Sequence, residues 1–359
     1  MSRGELGDDA ASTPMEAALA ALCEPRLTVT ATTGLDEAVS TLAWSPAGLG
    51  LAAGTLGGEV AQWMPGVAAP LVHDCGSPVL DVAWSPDGEV LAGACEDGTL
   101  WWWAAGEAPV PHRVGGTAGA LAWGADGLAV AAEDTVVVLA DDGRRRCDLT
   151  VPPGAAMVVA WTSPGAGAAL LVGGVGGLRE VLIDEVEAES WPLAAVIALA
   201  VDPRSGLAAA GTLGGGVEIG RRGPTLQAGR DAVSTVAWSA EGSLLAAVAD
   251  GGLAVWAIGA ADPAVDRGRR LAGHDDWVTD AAFAPAGALL ASIADDGSLA
   301  LWDPAETADP LERIDLGGAL AKLSWRPDGR ALATGGRDGT VSVLDCSALT
   351  RPPADRRCR

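Results

Sequence analysis

A histidine, a serine and an aspartate, His274, Ser292 and Asp296, stand close together in GHDDWVTDAAFAPAGALLASIADDGSLALWD (273–303). They are the ingredients of a nucleophilic triad, in which imidazole takes the hydroxyl proton and a carboxylate orients the imidazole. A second set, His73, Cys75, Cys95 and His112, offers nitrogen and sulfur donors suited to zinc, at spacings that match no compact zinc signature. Glycine-rich GGVGG (173–177) and GTLGGG (211–216) could cradle phosphate, yet neither opens a helix or carries the Lys-Ser/Thr pair of a phosphate-binding loop. Whether any of these residues does chemistry depends on the elements that hold it.

Those elements repeat. A short apolar segment ending in a landmark residue recurs about every forty residues, at Trp44, Trp84, Trp123, Trp161, Val201, Trp238, Phe283 and Trp325. In residues 277–302, VTDAAF reads as a strand, PAG as a turn, ALLASIA as a second strand, DDG as a turn and SLALW as a third strand. A fourth strand follows in PLERIDL (310–316), with counterparts in PLVH (70–73), RCDLTV (146–151), PTLQA (224–228) and GRRLA (268–272). A lone four-stranded meander has two apolar faces, and stacking neighbours around an axis buries both. The spacing predicts an all-β chain with one propeller of eight four-stranded blades over 25–346, seven being the alternative.

The phrases GHDDWVTDAAFAPAGALLASIADDGSLALWD, CEDGTLWWW (95–103) and GGRDGTVSVLD (335–345) resemble WD40 repeats, and the resemblance covers about nine-tenths of the chain. It implies that His274, Ser292, Asp296 and Trp302 form a structural hydrogen-bonded tetrad rather than a triad for catalysis. Partial tetrads are expected at Asp97 and Trp103 with His73 as partner, at Asp250 and Trp256 with Arg230 near the histidine position, and at Asp338, where Leu344 replaces the tryptophan.

Three residues before each landmark, a variable row runs Thr41, Asp81, Ala120, Val158, Ala198, Thr235, Asp280 and Lys322. Strand alternation points it toward the central channel, making Thr41, Asp81, Thr235, Asp280 and Lys322 candidates for a partner-binding channel mouth. The last copy ends at Cys346 one strand short, so RLTVTAT (26–32) is expected to complete it and close the ring. Upstream, residues 1–24 read as a polar extension whose TPMEAALAAL (13–22) suits a short helix, with Thr13 as cap and Pro14 at its first position. Residues 347–359 read as a polar basic tail.

The formal charge is −24, from 47 acidic against 23 basic residues, which opposes broad contact with nucleic acid. Tyr is absent, Lys322 is the only lysine, and the Ala, Gly and Arg usage fits a GC-rich, bacterial genome. The N-terminus lacks a secretory signal and no run is long and apolar enough to span a membrane, so the expected compartment is the cytoplasm. There the six cysteines, none in a CxxC pair, are expected as free thiols. The resemblance implies a monomeric, non-catalytic scaffold for protein or peptide partners, with no cofactor. One alternative is a hydrolytic enzyme using channel carboxylates such as Asp81 and Asp280. Another is an accessory role in zinc homeostasis beside a metallochaperone-type GTPase, because the AWSP phrases and GTLGGGVEI are similar to bacterial WD40 proteins encoded near such enzymes.

Overall fold

The computed structural model describes residues 27–349, apart from 68, 125, 153, 155, 163–168, 184–187, 222 and 260–267. The expected helix at 13–22 and the tail from 350 onward lie outside the described residues. Within them the chain forms 32 strands, β1 to β32, and no helix long and apolar enough to cross a membrane.

The strands make eight four-stranded antiparallel sheets. Seven are sequential meanders, blades 1 to 7, whose innermost strands are β2 (Val39–Trp44), β6 (Val79–Trp84), β10 (Ala118–Gly124), β14 (Val158–Trp161), β18 (Val196–Val201), β22 (Val233–Trp238) and β26 (Val278–Phe283). Blade 8 consists of β30 (Leu320–Trp325), β31 (Ala331–Gly336), β32 (Thr340–Asp345) and, as its outer strand, β1 (Thr28–Gly34) from the other end of the chain. Thr28 pairs with Asp345 and Gly34 with Thr340, so the N-terminal strand closes the ring. Each innermost strand touches the next, and β30 touches β2. The units around 117–141 and 195–220, which lack the aspartate and tryptophan signature, are complete four-stranded blades.

Burial explains the composition of the second strands. All eight are buried along their whole length, including LAAGT (51–55), LASIA (290–294) and ALATGG (331–336), because blades cover them on both faces. Near the axis adjacent sheets converge, so small residues are needed. A Cβ on Gly54 would come within 2.6 Å of the Val79 side chain of the next blade, and one on Gly211 within 2.8 Å of Val233. The apolar core is accordingly divided into eight clusters, one in each gap between neighbouring blades. Each fully buried leucine there contributes about 1.5–3 kcal/mol of transfer free energy. The tight turn in blade 6 uses Asp250 and Gly251, both left-handed (φ 53° and 67°), as a two-residue hairpin of the primed type requires.

Candidate functional site

In blade 7 the first set of candidate residues is brought together as one hydrogen-bonded chain. Trp302 Nε1 donates to Ser292 Oγ at 2.8 Å, and Ser292 Oγ lies 2.7 Å from His274 Nε2. On the other side of the ring, His274 Nδ1 is 2.6 Å from Ser298 Oγ, which donates to Asp296 Oδ1 at 2.6 Å. Each hydroxyl has one proton to give. With Ser298 donating to the carboxylate, it must accept from Nδ1–H. Burial favours the neutral ring, so Nε2 is left as an acceptor and takes the Ser292 proton, while the Ser292 oxygen accepts from the indole.

The electrostatics agree. Burial lowers the pKa of His274, against the pull of Asp296. Desolvation raises that of Asp296, but bonds from the Ser298 hydroxyl and from the N–H groups of Asp275 and Ser298 outweigh it and hold the pKa at about 2. The direct His274–Asp296 separation is 3.9 Å, so the carboxylate reaches the ring through Ser298, a member that sequence reasoning missed. Ser292 is fully buried, and the imidazole is 3% exposed. The hydroxyl is closed to solvent in the folded blade, and the network ties the turns of the blade together.

The other blades carry remnants. Asp97 binds Thr99 N–H and Oγ and Arg113, as Asp296 binds Ser298 and Arg313. By register, however, Cys75 stands where blade 7 has His274, four residues before the first valine of the inner strand; the expectation for His73 is corrected. His73 instead packs edge-on against Trp101 and Trp103, with ring centroids 4.7 and 5.5 Å away, and its Nε2 has no partner. Gly93 takes the place of Ser292, and the Trp103 ring fills the vacated space, its Nε1 also unpaired. Asp250 accepts from the backbone N–H groups of Arg230 and Asp231. Arg230 thus contributes main chain, Gly229 occupies the histidine position, and Trp256 Nε1 is buried without a partner. In blade 8, Asp338 caps Thr340 N–H, while Thr334, in the place of Ser292, keeps a buried hydroxyl with no partner beside the apolar Leu344.

A β-bulge sets the row facing the channel. In seven of the eight inner strands the register shifts after the first valine or its equivalent, as between Val39 and Thr41 and between Val278 and Asp280. The extra residue turns Thr41 and its equivalents away from the side taken by Val39. Asp81 then accepts from Thr41 Oγ in blade 1 (3.2 Å) and from Leu121 N in blade 3 (2.9 Å). Asp280 repeats the arrangement with Thr235 in blade 6 (3.2 Å) and Leu323 N in blade 8 (3.2 Å). Burial raises the pKa of both carboxylates, opposed by these bonds and by the Lys322 ammonium. Each aspartate latches three blades together with both oxygens engaged. Lys322 is the exposed member of the five.

At the opposite ends of the inner strands five of the six landmark tryptophans form a second belt, while Trp238 Nε1 is buried without a partner. The indole N–H of Trp84 donates to Ala43 O, Trp123 to Ala83 O, Trp161 to Ala122 O, Trp325 to Ala282 O and Trp44 to Ser324 O, at 3.0–3.2 Å. Each bond ties a blade to the one before it. The sequence marks these rings only as landmarks of the repeat.

The Cys75 thiol packs in the gap between blades 1 and 2 with Cys95, and among the described residues no group of three or more His, Cys, Asp or Glu side chains is placed to hold a metal ion. Arginines cluster at 144–146, 221–222 and 267–270, and several face carboxylates at exposed edges: Arg145 meets Asp148, Arg146 lies 2.7 Å from Asp126, and Arg221 meets Glu180 and Glu189. Arg222 and Arg267 lie outside the described residues.

Sequence reasoning overlooked Trp277. It is 61% exposed, while every other tryptophan of the chain is buried or half-buried. It precedes the first valine of β26, on the face formed by the loops between blades and the turns between second and third strands. One side of the indole lies against Gly251 in the hairpin of blade 6. Asp231, Asp250, Asp275 and Asp276 are exposed on the same face, as are Leu56, Val175 and Leu213 in the turns of other blades. The signal was available by aligning copies, since this position is Ala38, Pro78, Thr117, Ala155, Ala195, Ala232 and Ala319 elsewhere.

Comparison with known proteins fits this architecture. The family model for the WD domain, G-beta repeat, matches residues 71–104, 221–257, 266–303 and 318–345. These are the copies that retain Asp97, Asp250, Asp296 and Asp338; the first three matches begin on the outer strand of the preceding blade or just before it, and the fourth just before β30. A solved structure of the computationally designed Ika8 protein is similar, with a TM-score of 0.68 and 20% identity over 87% of this chain and 97% of that one. No curated protein matches the chain. With eight blades around one axis and four segments matching the WD40 repeat, the chain is an eight-bladed β-propeller that carries WD40-type repeats.

Proposed function

We propose that the chain is a non-catalytic, monomeric, cytoplasmic platform that binds a basic segment of another protein on the face carrying Trp277. The exposure of that one indole carries the reading. A large aromatic held on a rigid scaffold supplies contact area at little entropic cost, and such residues dominate binding energy at interfaces. The aspartates around it and the net charge of −24 favour a positively charged partner, with an arginine or lysine stacking on the ring. The channel-mouth residues Asp81, Asp280, Thr41 and Thr235 serve as latches between blades, which leaves Lys322 to select against cations entering the channel itself. Hydrolysis by Asp81 and Asp280 is disfavoured because their oxygens are occupied and they sit in blades 2 and 7 rather than side by side.

Titration of a fluorescein-labelled hepta-arginine peptide against the intact chain tests this. Trp277→Ala should weaken binding at least about tenfold, as loss of a hot spot does, without shifting the melting temperature. Equal affinity for both proteins would refute the role of the indole.

A further inference from the structure

The gap between blades 8 and 1 is the least filled of those flanking the closing strand. It holds five buried apolar side chains, Val39, Leu51, Ala53, Ala333 and Val341, against thirteen in the gap between blades 7 and 8. The cause lies in β1, which presents Ala31 and Thr33 where longer side chains would close the space. An open cleft of about 220 Å³ results, lined by these two residues with Trp44, Trp63, Leu49 and Met64 among others. Met64 also borders a hollow of about 420 Å³ between blades 1 and 2, beside Leu71 and Val72. Leu49 is 67% exposed, Leu71 62%, Val72 52% and Val67 50%. An apolar belt of this kind is normally covered.

We propose that residues 13–24 of the same chain dock along this belt. Three observations select that occupant. First, the chain enters β1 at Thr28, and the six residue steps from Leu22 to Thr28 reach at most about 21 Å, which puts the blades flanking β1 within range of the segment. Second, Leu27 is buried in the gap between blades 7 and 8, which is already packed, so the space available within that reach is the cleft on the other side of β1. Third, Met15, Leu19 and Leu22 recur at the i, i+4, i+7 spacing of one helix face, with alanines between them that permit close approach. An amphipathic turn of chain laid into an apolar groove is a common mode of recognition. The belt lies at the opposite end of the blades from Trp277, so the proposal stands apart from the partner-binding reading.

The test uses full-length protein carrying Leu19→Asp with Leu22→Asp, compared with Leu49→Asp in the groove and with all three changes together. Binding of the apolar dye ANS should rise at least about threefold as the belt is uncovered, and amides of residues 62–66 should exchange at least about tenfold faster. The triple variant should show no further gain, because both changes break the same contact. A melting temperature within a few degrees of the parent confirms that the ring remains folded in each variant. Unchanged dye binding and exchange in the folded variants would overturn the proposal. So would a parental mass that doubles with concentration and becomes monomeric in the Leu19/Leu22 variant, since that places the segment on a second copy.

Discussion

Deleting residues 1–32 should lower the melting temperature by more than about 10 °C. The deletion removes most of β1, strips β32 of its outer neighbour and takes Leu27, 1% exposed, out of the gap between blades 7 and 8. Burial of one leucine is worth roughly 2 kcal/mol and each ladder hydrogen bond about 0.5–1.5 kcal/mol, so the total loss is roughly 5 kcal/mol or more. For a domain above 150 residues each kcal/mol corresponds to about 2–4 °C. The bare edge of β32 should also promote association through unpaired backbone groups. Adding a synthetic peptide of residues 26–34 should restore part of the loss by strand addition. Differential scanning calorimetry of the parent, the truncated chain and the truncated chain with peptide reads all three effects. A melt unchanged by the deletion would show that the ring closes without this strand.

Ser292→Ala should cost about 2–4 kcal/mol, the second largest effect. It leaves Trp302 Nε1 and His274 Nε2 facing each other in a dry interior with no hydroxyl between them, and each orphaned group costs about 1–3 kcal/mol. By contrast, Gly93→Ser in blade 2 should not stabilise, because Trp103 already fills the site: a Cβ there would lie 2.8 Å from the ring. The same network makes stability depend on pH in two separate windows. His274 has a folded pKa below its unfolded value, so the unfolded chain binds more protons as pH falls from about 6.5, and stability declines there. Asp296 is depressed to about 2, so its contribution, roughly 2 kcal/mol, is present above pH ~4 and is lost as pH falls through its folded pKa. His274→Gln should flatten the first window and leave the second. Urea unfolding at a series of pH values measures both.

The fold was legible because repetition magnified weak local signals. One copy of an apolar run ending in a landmark residue says little; eight copies about forty residues apart require a ring, and the strand missing after Cys346 pointed to residues near 28 as its completion. Site geometry was less legible, for three physical reasons. The bulge before Thr41 and its equivalents adds a residue that strict alternation cannot register, so the channel row is placed by the bulge rather than by period two alone. Hydrogen bonds between blades join residues some forty positions apart, as Asp81 does with Thr41 and Leu121, and no local pattern encodes them. Turn length also shifts the alignment of the decayed copies. Asp250 lies in a two-residue hairpin, and Cys75 rather than His73 falls in register with His274. Ser298 escaped notice because it read as the first residue of the third strand after DDG, although its hydroxyl is what connects carboxylate to imidazole. Trp277 was hidden in a different way, since an aromatic beside the first strand of the strongest repeat is easily taken as part of the motif.

Architecture therefore absorbs the residues that first suggested catalysis, and binding is left to the places where one copy differs from the others. The most direct test is hydrogen exchange of the intact chain with and without the hepta-arginine peptide, resolved by segment. Protection should appear at 249–252, 275–278 and the adjoining turns on the Trp277 face. Protection confined to the opposite face, at 46–50 and 64–67, would contradict the account.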